Sequence, residues 1–107
     1  MPTSNSEPVK FLLTYDIRPD IQDQYFQFVL GEMVPTLQSM GIAMGGAWHT
    51  AYGNYPLRLV EFVAESREAL DQVLGSPVWE QMESRLQQYV VNYNRKIVRL
   101  RENAFQF

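Results

Sequence analysis

Cysteine is absent from this chain of 107 residues, and its absence excludes several kinds of chemistry at once. Without thiols there can be no disulfide, no thiolate metal site, no iron–sulfur cluster and no cysteine nucleophile. One histidine, His49, and the carboxylates remain as metal ligands. A single histidine with no carboxylate at helical or hairpin spacing falls short of the three protein ligands of a catalytic zinc. We therefore expect neither a metal nor a cofactor.

The chain also lacks a positive net charge and an apolar leader. Its net charge of −3 argues against nucleic acid, because a binder needs a basic stripe to displace phosphate counterions. Arg95, Lys96, Arg99 and Arg101 do cluster, with a spacing that suits a charged edge strand better than a phosphate track. Residues 1–8 are polar and have no apolar run typical of a secretory signal. We expect a disordered N-terminal tail, a cytoplasmic location and no membrane partner.

The order of apolar segments predicts a single domain over residues 9–107. Val9–Tyr15 is rich in apolar residues at adjacent as well as alternate positions, as in a central strand. Asp20 is a candidate N-cap for a long helix that ends at Gly41. Pro35 lies inside that helix and is expected to kink it, because proline has no backbone N–H.

A β-hairpin is predicted in the middle of the chain. Two strand-like segments, Ile42–Tyr52 and Leu57–Ala64, flank the turn residues 53–56. The predicted register places His49 opposite Val60, and Trp48 opposite Glu61. A slip of one residue would move every side chain to the other face of the sheet.

The last third of the chain predicts two short helices and a strand. Ser66 is positioned to cap a helix that runs to Leu74, and Ser76-Pro77 has the N-cap and first-position chemistry of a helix that runs to about Tyr89. Val78, Trp79, Met82, Leu86 and Tyr89 form its predicted core stripe. Lys96–Arg101 closes the pattern as an edge strand.

The order βαββαβ predicts an α+β, ferredoxin-like two-layer sandwich, with two helices on one face of a four-stranded antiparallel sheet. The first and third strands should be central. Their apolar residues divide into two predicted sets, one with Phe11, Leu13, Leu57 and Leu59, the other with Leu12, Val60 and Phe62. Helices can cover only one set. An exposed apolar patch of about 500 Å² forgoes on the order of 12 kcal/mol, and such patches usually mark interfaces. The open face is therefore expected to pack against a second copy.

His49 is the first candidate for chemistry, because its side chain alone titrates near neutral pH without perturbation. Arg58 is its predicted diagonal neighbour, and Ala47 and Ala51 flank it along the strand. These small residues would leave space for a pocket, or equally for close helix packing. His49 is thus either a catalytic base or a surface residue.

Other candidates are predicted to bind a ligand rather than to catalyse. Trp48 and Tyr52, with Tyr55, could form a stacking wall or only pack across the hairpin. Tyr15 ends the predicted first strand, where it could meet a cavity. Glu61 lies on a central strand, and a buried carboxylate needs a partner or a raised pKa. It is either half of an ion pair or an active-site acid. Together with Arg58, these residues are the predicted ligand-binding set.

The hairpin and its flanks resemble the NIPSNAP-like branch of the dimeric α/β-barrel superfamily. The resemblance rests on Gly46-Ala47-Trp48-His49-Thr50-Ala51-Tyr52-Gly53, Glu32–Leu37 with Pro35, Gly41, Glu61–Ala69 and Pro77–Trp79. It implies a homodimer whose sheets face each other to form a barrel, with a cavity between each sheet and its helices. The superfamily includes cofactor-free monooxygenases, haem-degrading enzymes, lactone isomerases and proteins without assigned activity. The NIPSNAP-like branch has no agreed catalytic motif to carry over.

Three functions remain open at this point. The first is a homodimer that binds a small apolar or aromatic molecule between sheet and helices. The second is a cofactor-independent monooxygenase or isomerase with His49 as base. The third is a structural or partner-binding module without catalysis.

Overall fold

The computed structural model describes residues 7–52 and 55–99, and the side chains of these ranges except 50–52 and 55–57. The strands are β1 (Val9–Ile17), β2 (Ala43–Tyr52), β3 (Tyr55–Ala64) and β4 (Val90–Arg99). The α-helices are α1 (Gln22–Phe28), α2 (Val34–Ser39), α3 (Arg67–Leu74) and α4 (Pro77–Tyr89). Most of the predicted tail, half of the predicted turn and Arg101 lie outside the described residues.

The four strands form one antiparallel sheet in the order β2-β3-β1-β4. The first and third strands are central, as predicted, and the hairpin strand β2 and the basic strand β4 are the edges. The helices pack on one face, where they bury alternate residues of β1 from Val9 to Ile17. This confirms the predicted α+β, ferredoxin-like sandwich.

The predicted division of apolar residues between the two faces is wrong for the third strand. Phe11 pairs with Phe62, and Leu13 pairs with Val60. All four are buried under the helices. The other set, Leu12 with Leu59, belongs to the opposite face by strand alternation, and the side chain of Leu57 lies outside the described ones. Alternation within one strand is visible in sequence, but the register between two strands distant in the chain is not.

The long helical segment contains a π-turn rather than a simple kink. Between α1 and α2, Val29–Met33 forms one π-helical turn in which the Val34 N–H donates to the Val29 carbonyl, five residues earlier. Pro35 explains the irregularity, because it cannot donate to the carbonyl four residues before it and its ring crowds that carbonyl. The helix layer continues to Gly41, whose φ of +88° ends the segment as predicted.

The start of this segment differs from the prediction. Asp20 lies within a 3₁₀ turn, Pro19–Ile21, and no side chain caps that turn. The N-cap position is occupied by Arg18 instead. Pro19 has its φ set for a first helical position, so the turn begins two residues earlier than an Asp20 cap would allow.

The two later helices begin where the sequence predicts. Ser66 Oγ accepts a hydrogen bond of 3.0 Å from the Ala69 N–H, and Ser76 Oγ accepts one of 3.2 Å from the Trp79 N–H. Trp79 is buried in the core, where its ring meets Phe11 edge-on. Val78 was expected in the core stripe but is exposed on the outer side of α4.

The caps give a direct test of local stability. We expect Ser76→Ala to lower the free energy of unfolding by about 1 kcal/mol, because the Trp79 N–H loses its partner. Ser84→Ala in the exposed middle of the same helix is the control and should change stability by a few tenths at most. Urea unfolding followed by circular dichroism measures both. Equal losses in the two variants would contradict a capping role for Ser76.

Candidate functional site

A row of four polar side chains crosses the helix-facing side of the sheet near its hairpin end. His49 of β2 pairs with Arg58 of β3, and Arg58 pairs with Tyr15 of β1. The ring of Tyr93 on β4 stacks on Tyr15 with centroids 6.3 Å apart. We call these four residues the polar row. The next rows are apolar, with Leu13 and Val60 among their members, so the polar row marks where the core changes character.

Helix α1 covers the polar row with aromatic rings. The guanidinium carbon of Arg58 lies 5.2 Å from the Phe26 ring centre and 5.8 Å from that of Tyr25. A cation over aromatic rings is stabilised by their negative faces. Phe26 in turn meets Tyr25 edge-on at 4.9 Å. Neither Tyr25 nor Phe26 is among the site residues predicted from the sequence.

Arg58 is held without a hydrogen-bond partner at a buried atom. Its Nε is buried and unpaired, while the residue as a whole remains partly accessible. Within the described residues one other buried side-chain donor is unpaired, Trp79 Nε1, which lies beside Phe11 in the apolar part of the core. An unsatisfied buried donor costs about 1–3 kcal/mol and calls for an explanation.

Tyr15 of the polar row and Tyr25 of α1 are both buried and contact each other. The hydroxyl oxygens of Tyr15 and Tyr25 are 2.6 Å apart and share one hydrogen bond. Burial, followed by the proximity of Tyr25, raises the pKa of Tyr15. Burial also raises the pKa of Tyr25, against the lowering effects of its bond to Tyr15 and of the Arg58 charge. Both phenols therefore remain neutral around pH 7.

The far end of the row is tied to helix α4. The Tyr93 hydroxyl donates to Glu83 Oε2 at 2.7 Å, and Arg95 Nη1 reaches the same oxygen at 3.0 Å. Burial and the bond to Glu83 raise the pKa of Tyr93. Glu83 thus already accepts hydrogen bonds from two donors, and it is not an ion-pair partner of Arg58.

The predicted site residues divide between the two faces of the sheet. The structure brings His49, Arg58 and Tyr15 together on the helix-facing side. Trp48 and Glu61 belong to the other face, so the six predicted residues do not form one site. The side chain of Tyr52 lies outside the described side chains.

The hairpin register explains this division and corrects the predicted pairing. His49 is opposite Arg58 rather than Val60, and Trp48 is opposite Leu59 rather than Glu61. Tyr52 pairs with Tyr55, which shifts the ladder by two residues from the prediction. A shift of two preserves the faces but replaces an apolar neighbour of His49 with a cationic one.

A glycine bulge shapes the open face, by which we mean the sheet surface without helices. The ladder shifts between Met44 and Gly46. A Cβ at Gly45 would lie 2.7 Å from Glu61 Oε2, and one at Gly46 would lie 2.8 Å from the Trp48 ring. The glycine pair thus forms a β-bulge at which the backbone approaches neighbouring side chains closely.

Glu61 is engaged in an ion pair within its own chain. Its Oε1 lies 3.1 Å from Lys10 Nζ, and the two side chains are only 10% and 12% exposed. The sequence left two roles open for Glu61, half of an ion pair or an active-site acid. Its ion-pair partner is a lysine of the neighbouring strand β1.

His49 is exposed on the edge strand and makes no hydrogen bond among the residues that the structure describes. The same part of the chain holds no group of three or more His, Cys, Asp or Glu side chains placed to bind a metal. None of its helices is long and apolar enough to cross a bilayer. The functional groups that the polar row and helix α1 present are the Arg58 guanidinium, aromatic rings and hydroxyl groups.

No protein-family model and no curated protein matches the sequence. Solved structures do match. A NIPSNAP-like domain protein from Burkholderia xenovorans is 18% identical, with coverage of 87% of this chain and 84% of the other and a TM-score of 0.63. A NIPSNAP family protein of unknown function from Agrobacterium tumefaciens is 14% identical, with coverage of 92% and 93% and a TM-score of 0.63.

A candidate antibiotic biosynthesis monooxygenase from Caulobacter crescentus is similar as well, at 10% identity, with coverage of 90% of this chain and 92% of the other and a TM-score of 0.67. At these identities the likeness concerns the fold. The chain has the ferredoxin-like fold of NIPSNAP-family and monooxygenase-like proteins, in agreement with the resemblance seen in the sequence.

The buried tyrosines predict a loss of stability in alkali. Folding raises the pKa of Tyr15, Tyr25 and Tyr93 above the ordinary value of 10.0. Above pH 10 the unfolded chain releases protons that the folded chain retains, so stability is complete below pH 10 and falls as the pH rises. Each such tyrosine costs up to about 1.4 kcal/mol per pH unit.

Tyr15→Phe should reduce this alkaline slope. Urea midpoints at pH 8, 10 and 11 measure it, and absorbance at 295 nm reports ionised tyrosine. Titration of all six tyrosines near pH 10 in the folded protein would contradict the prediction.

Proposed function

We propose that this protein binds a small apolar or aromatic molecule between its sheet and its helices, at the polar row. The observation that carries this proposal is Arg58, a partly accessible guanidinium packed on Phe26 and Tyr25 with a buried, unpaired Nε. Ligand sites commonly combine apolar and aromatic walls with a few unsatisfied polar groups. The polar row has this composition.

The binding surface is formed by both layers. Phe26 is partly buried at the edge of the core and supplies an aromatic wall from α1. Ala47, also partly buried, lies next to His49 on the same face of β2 and adds little bulk. His49 and Arg58 are the accessible members of the row, whereas Tyr15 and Tyr25 are fully buried. A ligand would therefore enter from the β2 edge.

We further propose that two copies associate through the open face into an α/β barrel. Helices cover only the other side of the sheet. On the open face, Trp48 is 48% exposed, and Leu59 and Val63 are partly accessible. Lys10 and Glu61 are nearly buried within this surface, and their ion pair leaves neither of these two charges unpaired. A second sheet would remove these apolar side chains from water.

A cofactor-independent monooxygenase or isomerase with His49 as base is the second candidate. Its support is the fold shared with the candidate monooxygenase from Caulobacter crescentus and the position of His49 beside Arg58. The exposure of His49 in the single chain favours binding over base catalysis, because a general base works best where water is excluded.

In the third alternative, a structural module, the open face would be the whole function. A cytoplasmic location remains part of the proposal.

The dimer is tested by charge substitution on each surface. Static light scattering should give twice the chain mass for the wild type and one chain mass for Leu59→Lys, since a lysine would be buried between two sheets. Leu30→Lys is the matched control, because Leu30 is 58% exposed on the helix layer, and it should leave the dimer intact. A monomeric wild type at micromolar concentration would contradict the dimer.

The ligand site is tested with a neutral aromatic probe, 2-naphthamide. Isothermal titration calorimetry should show saturable binding that Phe26→Ala weakens about three- to tenfold, the worth of one aromatic contact. Trp48→Ala removes an aromatic side chain from the open face and should leave the affinity unchanged. Absence of saturable binding, or a larger loss in Trp48→Ala than in Phe26→Ala, would contradict a site between sheet and helices.

A further inference from the structure

We propose that the ligand of the polar row carries an anionic oxygen, as an aromatic carboxylate or phenolate does, and that Arg58 is its counterion. This inference rests on the proposed binding function and specifies the chemical class of the ligand.

The first support is a charge without a counterion. Four basic residues of the described chain form ion pairs: Lys10 with Glu61, Arg67 with Asp71, Arg85 with Glu32 and Arg95 with Glu83. Arg58 has no such partner among the described residues, although it is less accessible than the exposed Arg67. A buried charge is costly unless it is paired. The ring faces of Phe26 and Tyr25 offset part of that cost but provide no opposite charge.

The second support is an excess of hydrogen-bond donors over acceptors. Arg58 Nε–H is unpaired. The Tyr15 and Tyr25 hydroxyls carry two hydrogens but share one hydrogen bond, and Arg58, which also interacts with the Tyr25 hydroxyl, is itself a donor and not an acceptor. Glu83, the carboxylate bonded to Tyr93 at the β4 end of the row, already accepts hydrogen bonds from Tyr93 and Arg95. The missing partner is therefore an acceptor, and a carboxylate or phenolate oxygen is the strongest acceptor a small molecule can bring.

The third support is the arrangement of charge and rings around one entrance. Arg58 is partly accessible and lies directly opposite the exposed His49, so an anion can reach it from the β2 edge. Phe26, within 5.2 Å of the guanidinium, would contact the aromatic part of the same molecule. A planar guanidinium binds a carboxylate through two parallel N–H groups, which would orient the ring against Phe26.

A matched pair of probes isolates the charge. The 2-naphthoate ion and 2-naphthamide have nearly the same shape and differ in the anionic oxygen. For the wild type we expect calorimetry to give about ten- to hundredfold tighter binding of naphthoate, the range for a hydrogen bond to a charged group. Arg58→Met keeps an apolar stem over the rings and should bring the two affinities to within threefold.

Arg67→Met is the control, since it removes an exposed arginine from α3 and should retain the preference for naphthoate. Arg58→Lys keeps the charge and loses the planar fork, and it should give an intermediate preference if Arg58→Met does not fold. Equal affinities in the wild type, or an unchanged preference in both Arg58 variants, would overturn the inference while leaving 2-naphthamide binding, and with it the proposed function, in place. If neither probe binds, both proposals fail.

Discussion

The register between β1 and β3 determines which side chains of this protein can act together. Phe11 pairs with Phe62 and Leu13 with Val60, which places these four residues under the helices. The same register pairs Tyr15 with Arg58. A slip of one residue would place Arg58 on the open face and Glu61 in the core, because side chains alternate between faces. The apolar pairs thus hold the charged side chain in position.

Each face of the central strands holds a charged side chain that is at least partly removed from water, and the two faces stabilise that charge in different ways. On the open face, Glu61 is satisfied by Lys10, and the carboxylate fits because Gly45 has no side chain. On the helix-facing side, Arg58 contacts aromatic rings and forms no ion pair within the part of the chain that the structure describes. An ion pair whose members satisfy each other contributes mainly to the structure. An unpaired donor, in contrast, can still gain binding free energy by bonding to a ligand. This difference locates the candidate site at Arg58 rather than at Glu61.

Most of the architecture could be predicted from the sequence, because it depends on caps, turns and periodicity within short segments. Ser66 and Ser76 cap helices through atoms three residues away, and Gly41 ends a helix through its own φ. The order of strands followed from their apolar content, since central strands bury both faces. Pro35 predicted a disturbance in the helix but not its form. The π-turn is the form in which the helix accommodates Pro35, and Glu32 within that turn accepts two hydrogen bonds from Arg85 of α4.

The candidate site could be predicted only in part from the sequence. Residue type singled out His49, Arg58 and Tyr15, and these residues do meet. It grouped Trp48 and Glu61 with them, because hairpin neighbours look adjacent in sequence whichever face they occupy. Phe26 was missed, because an aromatic residue on an amphipathic helix carries no mark of what it contacts.

The sequence by itself determined the element types, their order and the two central strands, because those depend on periodicity, capping and turn chemistry within short segments. Only the tertiary structure decided that Arg58 lies opposite His49 and on Phe26, with no ion-pair partner in residues 7–52 and 55–99. That arrangement depends on the pairing of β1, β2 and β3 and on the packing of α1 across them. Both are contacts between residues far apart in the chain, for which a local pattern carries no information.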